Sequence, residues 1–181
     1  MITQHKNVFS DELCSEIYEF AINQVTHKDR SQPREITDTW TNASWSKEIY
    51  AESPAIICMK LPERINNKII NNLKSLDFLE LKENVVFAIS ANVGTCGSFL
   101  GKHSDGENRK AISLYLNKDW GIEDGGIFIW YADASEEWKA IVPEYNLAIY
   151  NTENGAPHFT TPVLTKNKFR ISLQVFILEP K

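Results

Sequence analysis

Imidazole is scarce in this 181-residue chain, which has only four histidines: His5, His27, His103 and His158. Any chemistry that needs imidazole therefore has few candidates, and each can be weighed singly. Cysteine is scarcer still. Cys14, Cys58 and Cys96 form neither an even set nor a metal-type pair, which argues against a disulfide framework and predicts a reducing, cytoplasmic setting. No apolar run approaches the roughly 20 residues of a membrane-spanning helix. The opening MITQHKNVFSDE has no basic segment leading into an apolar one, so neither a secretory signal nor a membrane partner is expected. Positive charge is in deficit, with 19 Lys and Arg against 24 Asp and Glu and a net charge of −5. Binding to a phosphate backbone relies on the opposite balance, so nucleic acid is not an expected partner.

What is present suffices for a folded domain. Hydrophobic residues make up 43% and aromatics 11%, which excludes a disordered chain, and the length predicts one domain over 1–181. The first element is a helix. Ser10 suits its N-cap, Asp11 and Glu12 put negative charge in the first turn, and Leu13, Ile17, Phe20, Ala21 and Val25 form an apolar stripe. The stretch 27–53 is polar and irregular. It reads as a long surface excursion with two short strands, and its Trp40 and Trp45 are either packing residues or part of a substrate flap. A second helix has Pro62 at its first position and Ile65, Ile69, Ile70, Leu73 and Leu76 as its buried stripe. Asn66, Asn67, Asn71 and Asn72 beside it read as a solvated face.

Beyond Glu83 the period changes to that of strands, at 85–91, 111–116, 127–131, 147–150 and 169–177. Gly94, Gly97, Gly125-Gly126, Pro143 and Asn154-Gly155 punctuate them. Two helices followed by this run of strands, with no helix between them, predict an α+β fold, mainly β. The architecture expected is a double-stranded β-helix, or jelly roll, backed by the N-terminal helices, with its catalytic core at about 85–178.

Three features in this region carry chemistry together. In His103-Ser104-Asp105 the outer two residues share a face of an extended backbone and can aim a nitrogen and a carboxylate at one point. Random ordering of this composition produces about 0.2 such pairs, so alone the motif is weak. His158 follows a Gly-Ala-Pro turn, where a lone histidine is more often a surface or hydrogen-bonded core residue. Arg170, Ser172 and Gln174 alternate with the apolar residues of the last strand, and on a one-sided sheet such a face meets water. In this order, however, two histidines and one carboxylate make the facial triad of a non-haem Fe(II) site with open positions. A downstream Arg170 then suits the distal carboxylate of a chelating oxo-acid, with Ser172 as an added donor.

The stretch 85–177 resembles the Fe(II)/2-oxoglutarate-dependent dioxygenases, especially their prolyl-4-hydroxylase-like branch. The motifs are His103-x-Asp105, YLNKDW from Tyr115 to Trp120, Gly125-Gly126 before a strand, and Glu144-Tyr145-Asn146-Leu147 leading into another. Pro157-His158, Thr161-Pro162-Val163 and the Arg170 strand complete the set, and Phe9-Ser10-Asp11-Glu12-Leu13-Cys14 is similar to the branch's opening helix. The resemblance implies that His103, Asp105 and His158 ligate iron and that Arg170, with Ser172 and Tyr115, holds the far carboxylate of 2-oxoglutarate. Asn92 stands where relatives often carry a co-substrate tyrosine. Arg109 resembles a substrate-side basic residue, a solvated loop arginine being the other reading. Trp130, with Trp120 and Trp138, either lines the barrel near substrate or packs in the core. Asp105 sets the chain apart from related halogenases, which carry a small residue there.

The implied activity hydroxylates an unactivated C–H of a peptidyl side chain, proline included, using Fe(II), 2-oxoglutarate and O₂, with succinate and CO₂ as co-products and ascorbate as a stimulant. A free amino acid or a small biosynthetic intermediate is the alternative substrate. Two readings lie outside that class: a non-catalytic jelly-roll binding module, and a cupin-type metal enzyme that uses no 2-oxoglutarate.

Overall fold

The computed structural model describes residues 2–26, 38–39, 56–105, 109–132, 135–152 and 156–179. Helix α1 (Asp11–Thr26) begins where the sequence places it. The Leu13 amide donates to Ser10 Oγ at 3.3 Å, and Leu13, Cys14, Ile17 and Ala21 form the buried stripe. Helix α2 (Glu63–Lys74) buries Ile65, Ile69 and Leu73. Pro62 is its N-cap and not its first helical residue. Its ψ of 146° is extended, and its carbonyl already accepts from the Ile65 and Asn66 amides. Asn67 and Asn71 are exposed as expected, but Asn66 is half-buried and turns back to donate to the Leu61 carbonyl at 3.1 Å.

The strands are β1 (Ile2–Lys6), β2 (Asp38–Thr39), β3 (Ile56–Met59), β4 (Val86–Gly94), β5 (Arg109–Tyr115), β6 (Phe128–Ala132), β7 (Glu137–Ile141), β8 (Leu147–Asn151), β9 (His158–Thr160) and β10 (Arg170–Leu178). Seven form an antiparallel sheet in the order β1-β8-β5-β10-β4-β3-β2, and three form a smaller one, β7-β6-β9. This is the mainly β jelly roll with N-terminal helices that the periodicity predicts. Of the 27–53 excursion only Asp38–Thr39 is a described strand. Trp40, Trp45 and the flap reading lie outside the described residues.

The large sheet has two unlike faces. Ala91, Val93, Ile112, Leu114, Ala148, Tyr150, Ile171, Leu173, Val175 and Ile177 pack against α1 and α2 in one continuous core. Each fully buried Ile or Leu there contributes about 2 kcal/mol. The other face carries Asn92, Ser113, Asn151, Arg170, Ser172 and Gln174, and together with the small sheet it lines a cavity. The Arg170–Ser172–Gln174 face therefore lines a cavity and is not an open surface, because β6 and β9 supply the opposing wall. A second apolar cluster of Tyr115, Phe128, Trp130, Leu147 and Ile149 ties the two sheets together.

Two asparagines clamp the frame. Asn117 accepts from the Ile171 amide at 2.7 Å and donates to the Phe169 carbonyl at 2.8 Å, which fixes the backbone on both sides of Arg170. Asn146, in the left-handed region at φ 54°, accepts from the Phe9 amide at 3.1 Å and returns a bond to its carbonyl at 2.7 Å. Replacing Asn146 with alanine strands both backbone groups of Phe9 and strains the turn, an expected loss of about 3 kcal/mol. A urea midpoint that falls with no change in slope checks this, and an unchanged midpoint refutes it.

Candidate active site

Fifty-three positions separate Asp105 from His158 in the chain, and a single backbone pairing closes that gap. The His103 amide donates to the His158 carbonyl at 3.0 Å, and the His158 amide returns a bond to the His103 carbonyl at 2.9 Å. A pair that exchanges both bonds presents its side chains on one face, and the imidazole centroids lie 4.4 Å apart. Phe128 packs on His158 with centroids 5.4 Å apart. His103 Nδ1 lies 2.7 Å from the Gly101 carbonyl and His158 Nδ1 lies 2.9 Å from the Ala156 carbonyl. A carbonyl only accepts, so each Nδ1 carries a proton, and in the neutral ring it is Nε2 that presents the lone pair.

Those lone pairs converge on Asp105. Its Oδ1 is 4.0 Å from His103 Nε2 and its Oδ2 is 3.6 Å from His158 Nε2. One ligand atom from each of the three residues falls within 4.8 Å of the others. Asn151, the last residue of β8, donates Nδ2 to Asp105 Oδ2 at 3.3 Å and orients the carboxylate. Burial lowers the His103 pKa, and the neighbouring His158 adds to the effect. Both favour the neutral imidazole, which is the form that ligates a metal. Two imidazoles and one carboxylate, with their ligand atoms gathered at one point, fit a divalent iron with open positions.

The anion end of the cavity is as well defined. Arg170 opens β10 on its inner face, its Cζ 5.1 Å from the centroid of the Tyr115 ring. Arg170 Nε and the Tyr115 hydroxyl are both buried, and neither has a hydrogen-bond partner. Burial raises the Tyr115 pKa, while the Arg170 side chain beside it acts in the other direction by its charge and by an approach too poorly aligned to satisfy the hydroxyl, so the phenol stays protonated and able to donate. Buried donors without acceptors are costly unless something else occupies the space. Together they suit a carboxylate, which takes a guanidinium fork and further hydroxyl donors. Ser172 sits between Tyr115 on β5 and Asn92 on β4 in the strand register, and all three line the cavity.

The remaining sequence candidates separate. Asn92 accepts from Ser90 Oγ at 3.3 Å. Trp130 is 5% exposed inside the apolar cluster that joins the sheets, and the cavity lining does not include it, so of its two readings the structure gives core packing. Trp120 is also a packing residue, donating its indole N–H to the Gly125 carbonyl at 2.9 Å. Arg109 opens β5 opposite Leu178, and the placement of its side chain lies outside the described residues. Two contributors escaped the sequence reading: Asn151, which orients Asp105, and Asn117, which fixes the start of β10. Neither an asparagine ending a strand nor one in a turn carries a distinguishing signal.

No protein-family profile matches the sequence, and no curated protein matches it either. Solved structures do share its fold. A prolyl-4-hydroxylase from Pseudomonas putida is similar over 99% of this chain and 92% of its own, at 16% identity and a TM-score of 0.66. A prolyl hydroxylase from Trichoplax adhaerens, in complex with a peptide fragment of the hypoxia-inducible factor oxygen degradation domain, covers 98% of this chain and 83% of its own, at 12% identity and a TM-score of 0.69. HygX from Streptomyces hygroscopicus, with nickel and 2-oxoglutarate bound, covers 97% and 82% at 10% identity and a TM-score of 0.65. At these identities the likeness is one of fold. The chain has the double-stranded β-helix found in prolyl hydroxylases and other 2-oxoglutarate oxygenases, and on it stands a His-Asp-His site. Among the described residues, no helix is long and apolar enough to cross a membrane.

Proposed function

We propose that this protein is an Fe(II)- and 2-oxoglutarate-dependent oxygenase that hydroxylates an unactivated C–H of a peptidyl side chain, proline first among them. One observation carries the reading. The three ligand atoms of His103, Asp105 and His158 converge in the same cavity that holds the unpartnered donors of Arg170 and Tyr115. A metal site alone would have no use for an inward arginine whose buried Nε has no partner, and a non-catalytic module would not need all three ligands. The peptidyl substrate is supported by the shared fold of the two prolyl hydroxylases, one of them in complex with a peptide.

The chain's own residues divide the work. His103, Asp105 and His158 hold the iron, with Nδ1 protons fixed by backbone carbonyls so that both Nε2 atoms face it. Arg170 grips the distal carboxylate of 2-oxoglutarate as a two-pronged donor, with Tyr115 and Ser172 adding hydroxyl bonds. Held by these three residues, iron would supply O₂ activation coupled to decarboxylation of 2-oxoglutarate to succinate and CO₂, the second oxygen atom going to the substrate C–H. The two sheets keep bulk water from the reacting centre.

Anaerobic Fe(II) titration with and without 2-oxoglutarate tests the class through the weak visible charge-transfer band of the chelate. No band, together with an inert His103→Ala substitution, refutes the oxygenase reading. The substrate is tested by screening prolyl peptides against free amino acids with ascorbate present, scoring succinate and a product heavier by one oxygen atom. Turnover confined to free amino acids refutes the peptidyl assignment and leaves the class standing.

A further inference from the structure

Gly125 and Gly126 precede β6 with φ of 74° and 64°, both in the left-handed region. Their reasons differ. A Cβ on Gly125 would run into the Pro162 carbonyl oxygen and also stand 2.9 Å from Leu164 Cγ, so its conflict lies with the 162–164 segment and not with Arg170. A Cβ on Gly126 would stand 2.5 Å from Arg170 Cδ and 2.8 Å from Arg170 Nε, with Val163 Cγ2 at 3.5 Å. These arginine atoms are the middle of the side chain and not its mobile tip, so they cannot yield without moving the guanidinium. The volume that any other residue would fill at position 126 is thus occupied by the stem of Arg170. The same guanidinium lies against the Tyr115 ring, 5.1 Å from its centroid.

We infer that Gly126 is a positioning residue for the oxo-acid: its missing side chain is the space that sets where Arg170 reaches, and so it fixes the preference for a metal chelator bearing a second, distal carboxylate. The inference rests on the proposed function, because it gives Arg170 a carboxylate to hold. It differs from the general role of glycine in turns, since a turn alone would require Gly126 only for its φ and would leave Arg170 indifferent to it.

The test uses the full chain loaded with Mn(II), which replaces iron without turnover, and titrates two ligands by calorimetry. 2-Oxoglutarate chelates the metal and offers a distal carboxylate, whereas oxalate only chelates. Gly126→Ala is expected to raise the Kd for 2-oxoglutarate about tenfold or more while oxalate changes by less than about twofold. In an Arg170→Ala background, Gly126→Ala is expected to leave the 2-oxoglutarate Kd within about twofold, because the residue acts only through Arg170. Equal losses for both ligands, no loss for either, or an undiminished loss without Arg170 would each overturn the inference. If Gly126→Ala does not fold but the double variant does, the conflict with Arg170 is upheld. If both fail alike, the left-handed turn alone explains the glycine and the inference falls. Failure of the oxygenase reading looks different: the unsubstituted Mn(II) protein would then take up no 2-oxoglutarate.

Discussion

Asp105→Ala is expected to lower Fe(II) affinity by more than about 100-fold and to reduce succinate formation to background, with the fold retained. Loss of an outer residue that orients a metal ligand typically costs 10–100-fold, so loss of a ligand itself exceeds that range. Asp105 is the sole negative donor of the three, which makes it the group that offsets the ion's charge in a site only 9% exposed at that residue. The fold survives because Asp105 is not a structural tie. Its hydrogen bond comes from Asn151 at 3.3 Å, and removing a buried carboxylate from the metal-free chain also removes a desolvation cost. Asn151→Ala forms the graded partner to this experiment. It leaves all three ligands in place and releases the carboxylate, so about a tenfold loss of Fe(II) affinity is expected. Anaerobic competition with a fluorescent chelator measures both. Wild-type affinity in Asp105→Ala would place the metal elsewhere, and wild-type affinity in Asn151→Ala would deny the amide its orienting part.

Much of this architecture is legible in the sequence, and the limits of that legibility have physical causes. The apolar stripe of α1 and the Ser10 cap announce a helix because they obey local rules. The central strands β4, β5, β8 and β10 announce themselves because one of their faces packs on α1 and α2. β1 (ITQHK) and β7 (EWKAI) do not, since β1 is an edge strand and β7 is almost wholly exposed, so neither has burial to impose alternation. β9 is three residues long, too short for any period to show.

The site divides in the same manner. The identities of His103, Asp105, His158 and Arg170 could be singled out from residue type and order. What joins them could not, because it is a backbone pairing between two histidines far apart in the chain. The alternation around Arg170 shows that Ser172 and Gln174 share its face, yet whether that face meets water or a cavity depends on where β6 and β9 lie. Trp130 could be read either way, as a cavity wall or as core packing. Residue type alone does not separate the two, and its burial against Phe128 belongs to the seam between the sheets.

Arg170→Leu is expected to raise the Kd for 2-oxoglutarate by roughly 150-fold, equivalent to about 3 kcal/mol for a desolvated, hydrogen-bonded charge pair. The same substitution is not expected to destabilise the metal-free chain. Arg170 Nε is buried without a partner, and among the described residues no carboxylate is paired with the guanidinium. An unsatisfied buried donor costs about 1–3 kcal/mol, which leucine removes while filling the space between Gly126 and Val163 with carbon. The metal-free Tm should therefore stay level or rise by up to about 3 °C. Ligand reverses the ranking. At 2-oxoglutarate about 100 times above the wild-type Kd, the Mn(II)-loaded wild type gains about 2.7 kcal/mol by mass action. The leucine variant, its Kd raised about 150-fold, gains only about 0.3 kcal/mol, roughly a ninth of that. Thermal melts of both proteins, with and without ligand, measure the crossing directly. A metal-free variant several degrees less stable than wild type would mean that Arg170 supports the fold, and its unpartnered Nε would then be no evidence for an absent carboxylate. A crossing of the two curves would identify Arg170 as a group kept at a cost to the empty protein because the bound oxo-acid needs it.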